Sequence, residues 1–296
     1  MKRSWQALLP LLLVIAGAIP SASASEPILT AVLAIGKIQL SWPADFSHYF
    51  LLEAPDPVSA AWRELVVPTL ITNSTVRVTL DPTGSARFFE LSSGDALFDG
   101  SSLDAFRGYQ QSDFPTASWS TNNLGELSMI SDAPSVHLIT RVPYASFHLK
   151  WEWKTGASGN SGVIYRGNEN HSNIASAGPE YQLLNNSAYP GLGAYLYMGA
   201  AYRFFAPSNP KFSPVGEWNR CEILMQGNHV EHWLNGARIV NYDIGSVAWN
   251  TAKTSAGANY NISDMGAGIG GGLGHLIFLH QTATSVFRKI QIRTIP

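Results

Sequence analysis

Residues 151–186 read WEWKTGASGNSGVIYRGNENHSNIASAGPEYQLLNN, and this stretch decides the fold. It spells strand, Gly-rich turn, strand, long polar loop, strand. Side chains alternate between the two faces of a strand. In Gly162-Val-Ile-Tyr-Arg166, Ile164 and Arg166 are therefore expected on one face, with Val163 and Tyr165 on the other. In Glu180-Tyr-Gln-Leu-Leu184, Glu180 and Gln182 share one face, and Tyr181 and Leu183 the other. An arginine, a carboxylate and an amide thus stand on strands that are otherwise apolar. The turn over residues 156–162 brings Asn160 and Ser161 to a strand entrance, where glycines let backbone come close to another group. The expectation is a polar patch on a sheet face, suited to a hydroxyl-rich ligand.

Outward from this stretch the same period recurs. Strands are expected over residues 125–130, 137–140, 146–153, 222–226, 230–234, 238–242, 275–280 and 285–293, with Asn235-Gly236 as a type I′ hairpin turn. No helix longer than a few turns is expected. Residues 256–274 are Gly-rich and read as a mobile loop or ligand-side flap. A phosphate cradle would need a following helix, and here a strand follows. Residues 27–93 read as a separate small all-β unit with strands over 37–42, 49–53, 62–67, 75–80 and 87–91, a turn over 81–84, and Trp42 and Trp62 in its core. Their spacing suggests a small sandwich. Ser92-Ser-Gly-Asp95 reads as a linker to a second domain over residues 95–296. The fold class is all-β.

The chain has 296 residues, 45% of them hydrophobic and 14% charged, with a net charge of −2. That composition folds, and without a basic run it excludes nucleic acid as a partner. Low charge with 9 Trp and 11 Tyr suits a β protein that meets neutral ligands, although most such rings belong to a core. Residues 1–25 have the form of a secretory signal peptide: a basic start at Lys2-Arg3, an apolar run over 7–16, and small residues at Ala22-Ser-Ala24. Cleavage near Ala24 or Ser25 would give a secreted or periplasmic protein with no membrane span. Cys221 is the single cysteine and alternates with Ile223 and Met225, so it reads as a buried structural thiol.

No H-E-x-x-H, G-x-S-x-G, C-x-x-C or Walker pattern occurs. Glu180 is the best acid or base candidate, because apolar neighbours raise a carboxyl pKa towards working pH. A surface or salt-bridged glutamate, paired with Arg166, is the plainer alternative. His232 lies close before the Asn235-Gly236 turn and reads as structural or functional. His280 follows an apolar strand. Together Glu180, His232 and His280 leave a divalent metal site open, with no cofactor required on the residues alone.

Six motifs then occur in one order: Leu97-Phe-Asp-Gly-Ser-Ser-Leu-Asp-Ala-Phe106, Gly159-Asn-Ser-Gly-Val-Ile-Tyr-Arg166, Glu180-Tyr-Gln-Leu-Leu184, Gly216-Glu-Trp-Asn219, His232-Trp-Leu-Asn-Gly236 and Val286-Phe-Arg-Lys-Ile290. Together they resemble the 3-keto-disaccharide hydrolase family over residues 95–296, and residues 27–93 loosely resemble a fibronectin type III-like module. The family resemblance implies a concanavalin A-like jelly-roll sandwich acting on oligosaccharides or glycosides whose glucose carries a ketone at C3, by hydrolysis or by elimination and hydration. It implies Glu180 as base or metal ligand, Arg166 as donor to the enolate or a hydroxyl, and His232 as acid or ligand. Asn160, Gln182 and His280 are expected to bind substrate. Two departures stand out: Asn185-Asn186 where the family often has an aspartate, and Leu279-His-Gln-Thr282 where it often has a Gln-Asp-His or Gln-His-His corner. A non-catalytic, lectin-like carbohydrate binder is the alternative in a different class.

Overall fold

The computed structural model describes residues 5–8, 13–15, 26–56, 58, 62–82, 87–256, 265–281 and 285–296, the first two segments as backbone alone. The expected signal cleavage site, Gly84 of the expected turn, residues 257–264 of the Gly-rich stretch and Thr282 lie outside these residues. The chain folds as two compact units, Met1–Gly94 and Asp95–Pro296.

The first unit comprises β1 (Trp5–Leu8), β2 (Leu13–Ile15), β3 (Thr30–Ala34), β4 (Lys37–Pro43), β5 (Phe50–Ala54), β6 (Arg63–Glu64), β7 (Leu70–Thr72), β8 (Thr75–Leu80) and β9 (Arg87–Ser92). One sheet runs β2-β1-β9-β5-β6 and the other β3-β4-β8-β7. Alternation explains the core: Ile38, Leu40 and Trp42 of β4 and Val76, Val78 and Leu80 of β8 all point inward. The β1 and β2 backbone falls within the stretch read as a signal peptide, with β1 antiparallel to β9.

The second unit comprises β10 (Asp95–Phe98), β11 (Phe106–Gly108), β12 (Trp119–Thr121), β13 (Leu127–Met129), β14 (Leu138–Thr140), β15 (Phe147–Thr155), β16 (Asn160–Gly167), β17 (Glu180–Leu184), β18 (Asn219–Gln226), β19 (His229–Leu234), β20 (Ala237–Asp243), α1 (Val247–Ser255), β21 (His275–Phe278) and β22 (Ser285–Thr294). An eight-stranded antiparallel sheet, β12-β13-β22-β15-β18-β19-β20 with β10 also on β22, and a five-stranded sheet, β11-β14-β21-β16-β17, form the layers. Trp151 and Trp153 of β15, Cys221, Ile223 and Met225 of β18, and Val163, Tyr165, Tyr181 and Leu183 of β16 and β17 share one hydrophobic core. The protein is therefore an all-β sandwich.

The five-stranded sheet is covered on both faces. Ile139, Ile164, Ala177, Ile277 and Leu279 form a second apolar cluster on its outer side. That is why β16 and β17 are almost continuously buried and not alternately wet. The β19–β20 turn has positive φ at both Asn235 (50°) and Gly236 (84°), as a type I′ turn requires. Helix α1 is capped by the Ser246 hydroxyl, which accepts from Trp249 N.

Candidate active site

Glu180 and Gln182 project from the outer face of the five-stranded sheet, as the alternation of β17 dictates. Across the strand pair, Glu180 faces Ile164 and Gln182 faces Gly162. The Glu180 carboxyl lies over Gly162: a Cβ added there would fall 2.7 Å from Glu180 Cδ, inside any normal contact distance. Gly162 is thus a glycine because the carboxyl occupies its side-chain space. Burial at 8% exposure pushes the Glu180 pKa up to about 8. The positive charge of Arg203 pulls it back down in part. A carboxyl in this state exchanges a proton near neutral pH.

Gln182 is held by its own strand and a neighbouring loop. Its Nε2 donates to Leu196 O (3.3 Å) and its Oε1 accepts from Leu183 N (3.1 Å). Asn160 opens β16 opposite Leu184 and, two residues before Gly162, takes the same side of the strand. Asn160, Gln182 and Glu180 therefore line one face across β16 and β17.

The free edge of β17 is closed by residues 199–202. Gly199 N donates to Gln182 O (2.8 Å), Gln182 N to Ala200 O (3.0 Å) and Tyr202 N to Glu180 O (2.9 Å). This segment carries Arg203 to the Glu180 pocket, whose wall also includes Ala175, Gly178, Tyr202 and Phe204. Arg203 has φ +68°, and its guanidinium lies 5.3 Å from the centre of the Tyr202 ring. Sequence reading missed Arg203. Its signal was a cation set among aromatics in Tyr202-Arg-Phe-Phe205, outside any expected strand.

Arg166 does not join Glu180. A register shift between β16 and β21 falls at Ile164 to Gly167, and Arg166 takes φ +50° within it. This bulge breaks the alternation and turns the side chain across to the other layer. Nη1 donates to Gly266 O (2.9 Å) and Nη2 to Gly227 O (2.6 Å), in the β18–β19 turn. The guanidinium ties three backbone segments together and is not positioned as a donor beside the carboxyl.

His232 is fully buried in the core between the sheets, on the opposite side of β17 from Glu180. Its Nδ1 lies 3.0 Å from Gly199 O, which can only accept, so Nδ1 carries the proton. Nε2 then accepts from the Tyr165 hydroxyl (2.9 Å), and the Tyr242 hydroxyl donates to Tyr165. Burial lowers the His232 pKa to about 4, so the ring is neutral at working pH. His232 thereby fixes Gly199, the start of the segment that brings Arg203 to the pocket.

His280 is elsewhere again. It packs edge-on against Trp119, its Nε2 is 3.1 Å from Ser118 O, and its backbone N donates to His137 Nδ1 (2.9 Å). Glu180, His232 and His280 therefore do not converge, and this set does not fit one shared divalent ion. Among the described residues no group of three His, Cys, Asp or Glu side chains does. Cys221 is buried with its thiol pKa pushed up by desolvation, the state of an inert core thiol. Asn185 serves the turn at its own position: Nδ2 donates to Ala157 O and Oδ1 accepts from Ser187 N (3.2 Å).

Comparison with known proteins agrees with this architecture. Residues 94–293 match the family model of the 3-keto-alpha-glucoside-1,2-lyase-like domain. A 3-keto-disaccharide hydrolase of Bacteroides thetaiotaomicron is 27% identical over 175 residues, covering 52% of this chain. The match spans only 59% of that relative's length. A solved Parabacteroides distasonis protein with a provisional glycosyl hydrolase designation is 28% identical, with a TM-score of 0.59, over 68% of this chain and 93% of its own. A second from the same organism, under the same designation, is 20% identical with a TM-score of 0.51, over 69% of this chain and 85% of its own, and shares the fold.

Proposed function

The chain belongs to the 3-keto-alpha-glucoside-1,2-lyase-like family, and from that premise we propose that it cleaves glycosides whose glucose carries a ketone at C3, with Glu180 as the base. One observation carries the reading: a carboxyl with its pKa raised to about 8, held over Gly162 beside Gln182 on a polar stripe of the sheet. The C3 ketone acidifies the C2 proton. Glu180 carboxylate takes that proton, and the C2–H electron pair forms the enolate. The enolate re-forms the ketone and makes the C1–C2 double bond as the glycosidic C1–O bond breaks towards the leaving oxygen. Water then adds across the double bond, its oxygen at C1 and a proton at C2, giving 3-keto-glucose. Gln182 and Asn160 bind the sugar hydroxyls. Arg203 supplies the positive charge that stabilises developing oxyanions. His232 holds Arg203's segment in place, and Arg166 holds the sheet ends.

The leader-like sequence supports a secreted or periplasmic site of action. The two facing sheets of the first unit are consistent with a fibronectin type III-like module, in a layout of 1–25 leader, 27–93 module and 95–296 catalytic domain. No step is routed through a metal ion, because the donors do not converge.

The second reading is a lectin-like binder. Asn185 favours it, since an amide engaged in its own turn transfers no proton. Turnover of 3-keto-sucrose in heavy water separates the readings. Elimination and hydration places deuterium at C2 of the released 3-keto-glucose, above a control for exchange of free 3-keto-glucose. Direct hydrolysis leaves C2 unlabelled, and a binder releases nothing.

A further inference from the structure

The Glu180 pocket is small, about 20 Å³, and shares its Arg203 wall with a second space. Arg203, Phe204 and Ala256 also line a longer groove between residues 195–208, β20 and α1. Arg203 is the single charged side chain among the described residues of that groove. Its walls are apolar, with Leu196, Phe205, Ile239, Val240 and Ala252. The remaining polar groups are small and neutral: Ser208, Asn241, Thr251 and Ser255 beside the exposed Tyr195. Below runs a stack of rings. Phe204 lies 4.6 Å from Trp249 at 11°, Trp249 lies 5.4 Å from Tyr242 at 2°, and Tyr242 lies 4.6 Å from Phe205 at 23°. Interleaving rings from two elements and the loop makes a floor that cannot collapse into the space above it.

We propose that this groove is the leaving-group subsite, and that it takes an apolar, aromatic aglycone. The inference rests on the reading of Glu180 as the base for keto-glycosides. It goes further in naming the substrate class. The glycosidic C1–O bond lies at Arg203 with the aglycone in the groove, and the cavity of about 20 Å³ beside Glu180 must widen to admit the sugar ring. The cation then stands at the junction, where the departing glycosidic oxygen gains its charge as C1–O breaks. A second sugar would need several fixed polar partners on its hydroxyls, whereas the neutral polar groups of the groove are all exposed to solvent and bring no further charge. A flat apolar ring needs only area and a rigid floor.

The test uses the full chain and two exposed groove positions on α1, Ala248 and Thr251, which lie on one helix face away from Glu180. The 3-keto derivatives of phenyl α-glucoside and methyl α-glucoside are compared with wild type, Ala248→Trp and Thr251→Trp. Wild type is expected to have a KM about tenfold or more lower for the phenyl substrate, from burial of one ring. Each variant fills the groove, and the phenyl KM rises by about the same factor while the methyl kinetics stay unchanged. Equal effects on both substrates, or none on either, would overturn the proposal, as would the same advantage for 3-keto-trehalose with the same sensitivity to Thr251→Trp. If wild type turns over neither glycoside, the catalytic reading fails on its own. Calorimetric binding of the uncleaved phenyl and methyl glycosides then decides the groove. Phenyl selectivity lost in the variants upholds it, and no selectivity overturns it.

Discussion

The carboxyl of Glu180 occupies the side-chain space of Gly162, with a hypothetical Cβ at residue 162 only 2.8 Å from Glu180 Cγ. A glycine on one strand and a buried acid on the next are therefore one device. Gly162→Ala should displace the carboxyl while β16 and β17 stay paired. The expected result is a loss of about 1–3 kcal/mol in stability by thermal unfolding, with a much larger fractional loss of turnover. Unchanged turnover would separate Glu180's position from the chemistry.

The pKa of about 8 sets the direction of the pH response. A base must be deprotonated, so kcat/KM should rise with pH and reach half its plateau near 8. At pH 6 roughly one part in a hundred of the carboxyl is ionised at that pKa. A profile that falls through this range would make Glu180 an acid.

The same shift has a stability consequence. The folded state holds the Glu180 proton between its ordinary value of 4.5 and about 8, where the unfolded chain has released it. Stability is therefore lost as pH rises across that window, by on the order of 5 kcal/mol. Glu180→Gln removes the ionisation, so it should be more stable than wild type above pH 8 and nearly equal to it below pH 4.5. Chemical denaturation at pH 5 and pH 9 measures both.

Arg203 lowers the Glu180 pKa by its charge. Arg203→Met should move the rising limb of the pH profile to higher pH and lower its plateau. A fall in plateau with no movement of the limb would leave Arg203 acting on substrate alone.

Much of this arrangement was legible in the sequence. Residues 180–184 form the expected strand, with Glu180 and Gln182 on one face and Tyr181 and Leu183 on the core side, because period-2 alternation holds wherever pairing is regular. Arg166 escaped that logic, since one residue in the left-handed region redirects every side chain after it. Arg203 escaped because the segment that carries it borders β17 through backbone bonds, which no side-chain pattern announces. His232 was visible as a histidine on a strand, but its face of the sheet depended on which layer β19 joins. That is a question of topology.

His232 is expected to act by position. His232→Phe leaves the Gly199 carbonyl without this donor and the Tyr165 hydroxyl without its acceptor, and should cost about 2–4 kcal/mol. His232→Gln can span both groups and should recover much of the stability and turnover. The lowered His232 pKa also means that wild type loses stability as pH falls from 6.5 towards 4, because the unfolded chain takes up the proton first. The Gln variant should lack that part of the acid sensitivity in a denaturation series across the same window.

The most direct measurement is release of 3-keto-glucose from 3-keto-trehalose by the purified protein and by Glu180→Gln, with folding of both checked by circular dichroism. The account predicts product from the wild type and a loss of at least about a thousandfold in the variant, as expected for removing a general base that acts on carbon. Equal turnover by the two proteins would contradict it.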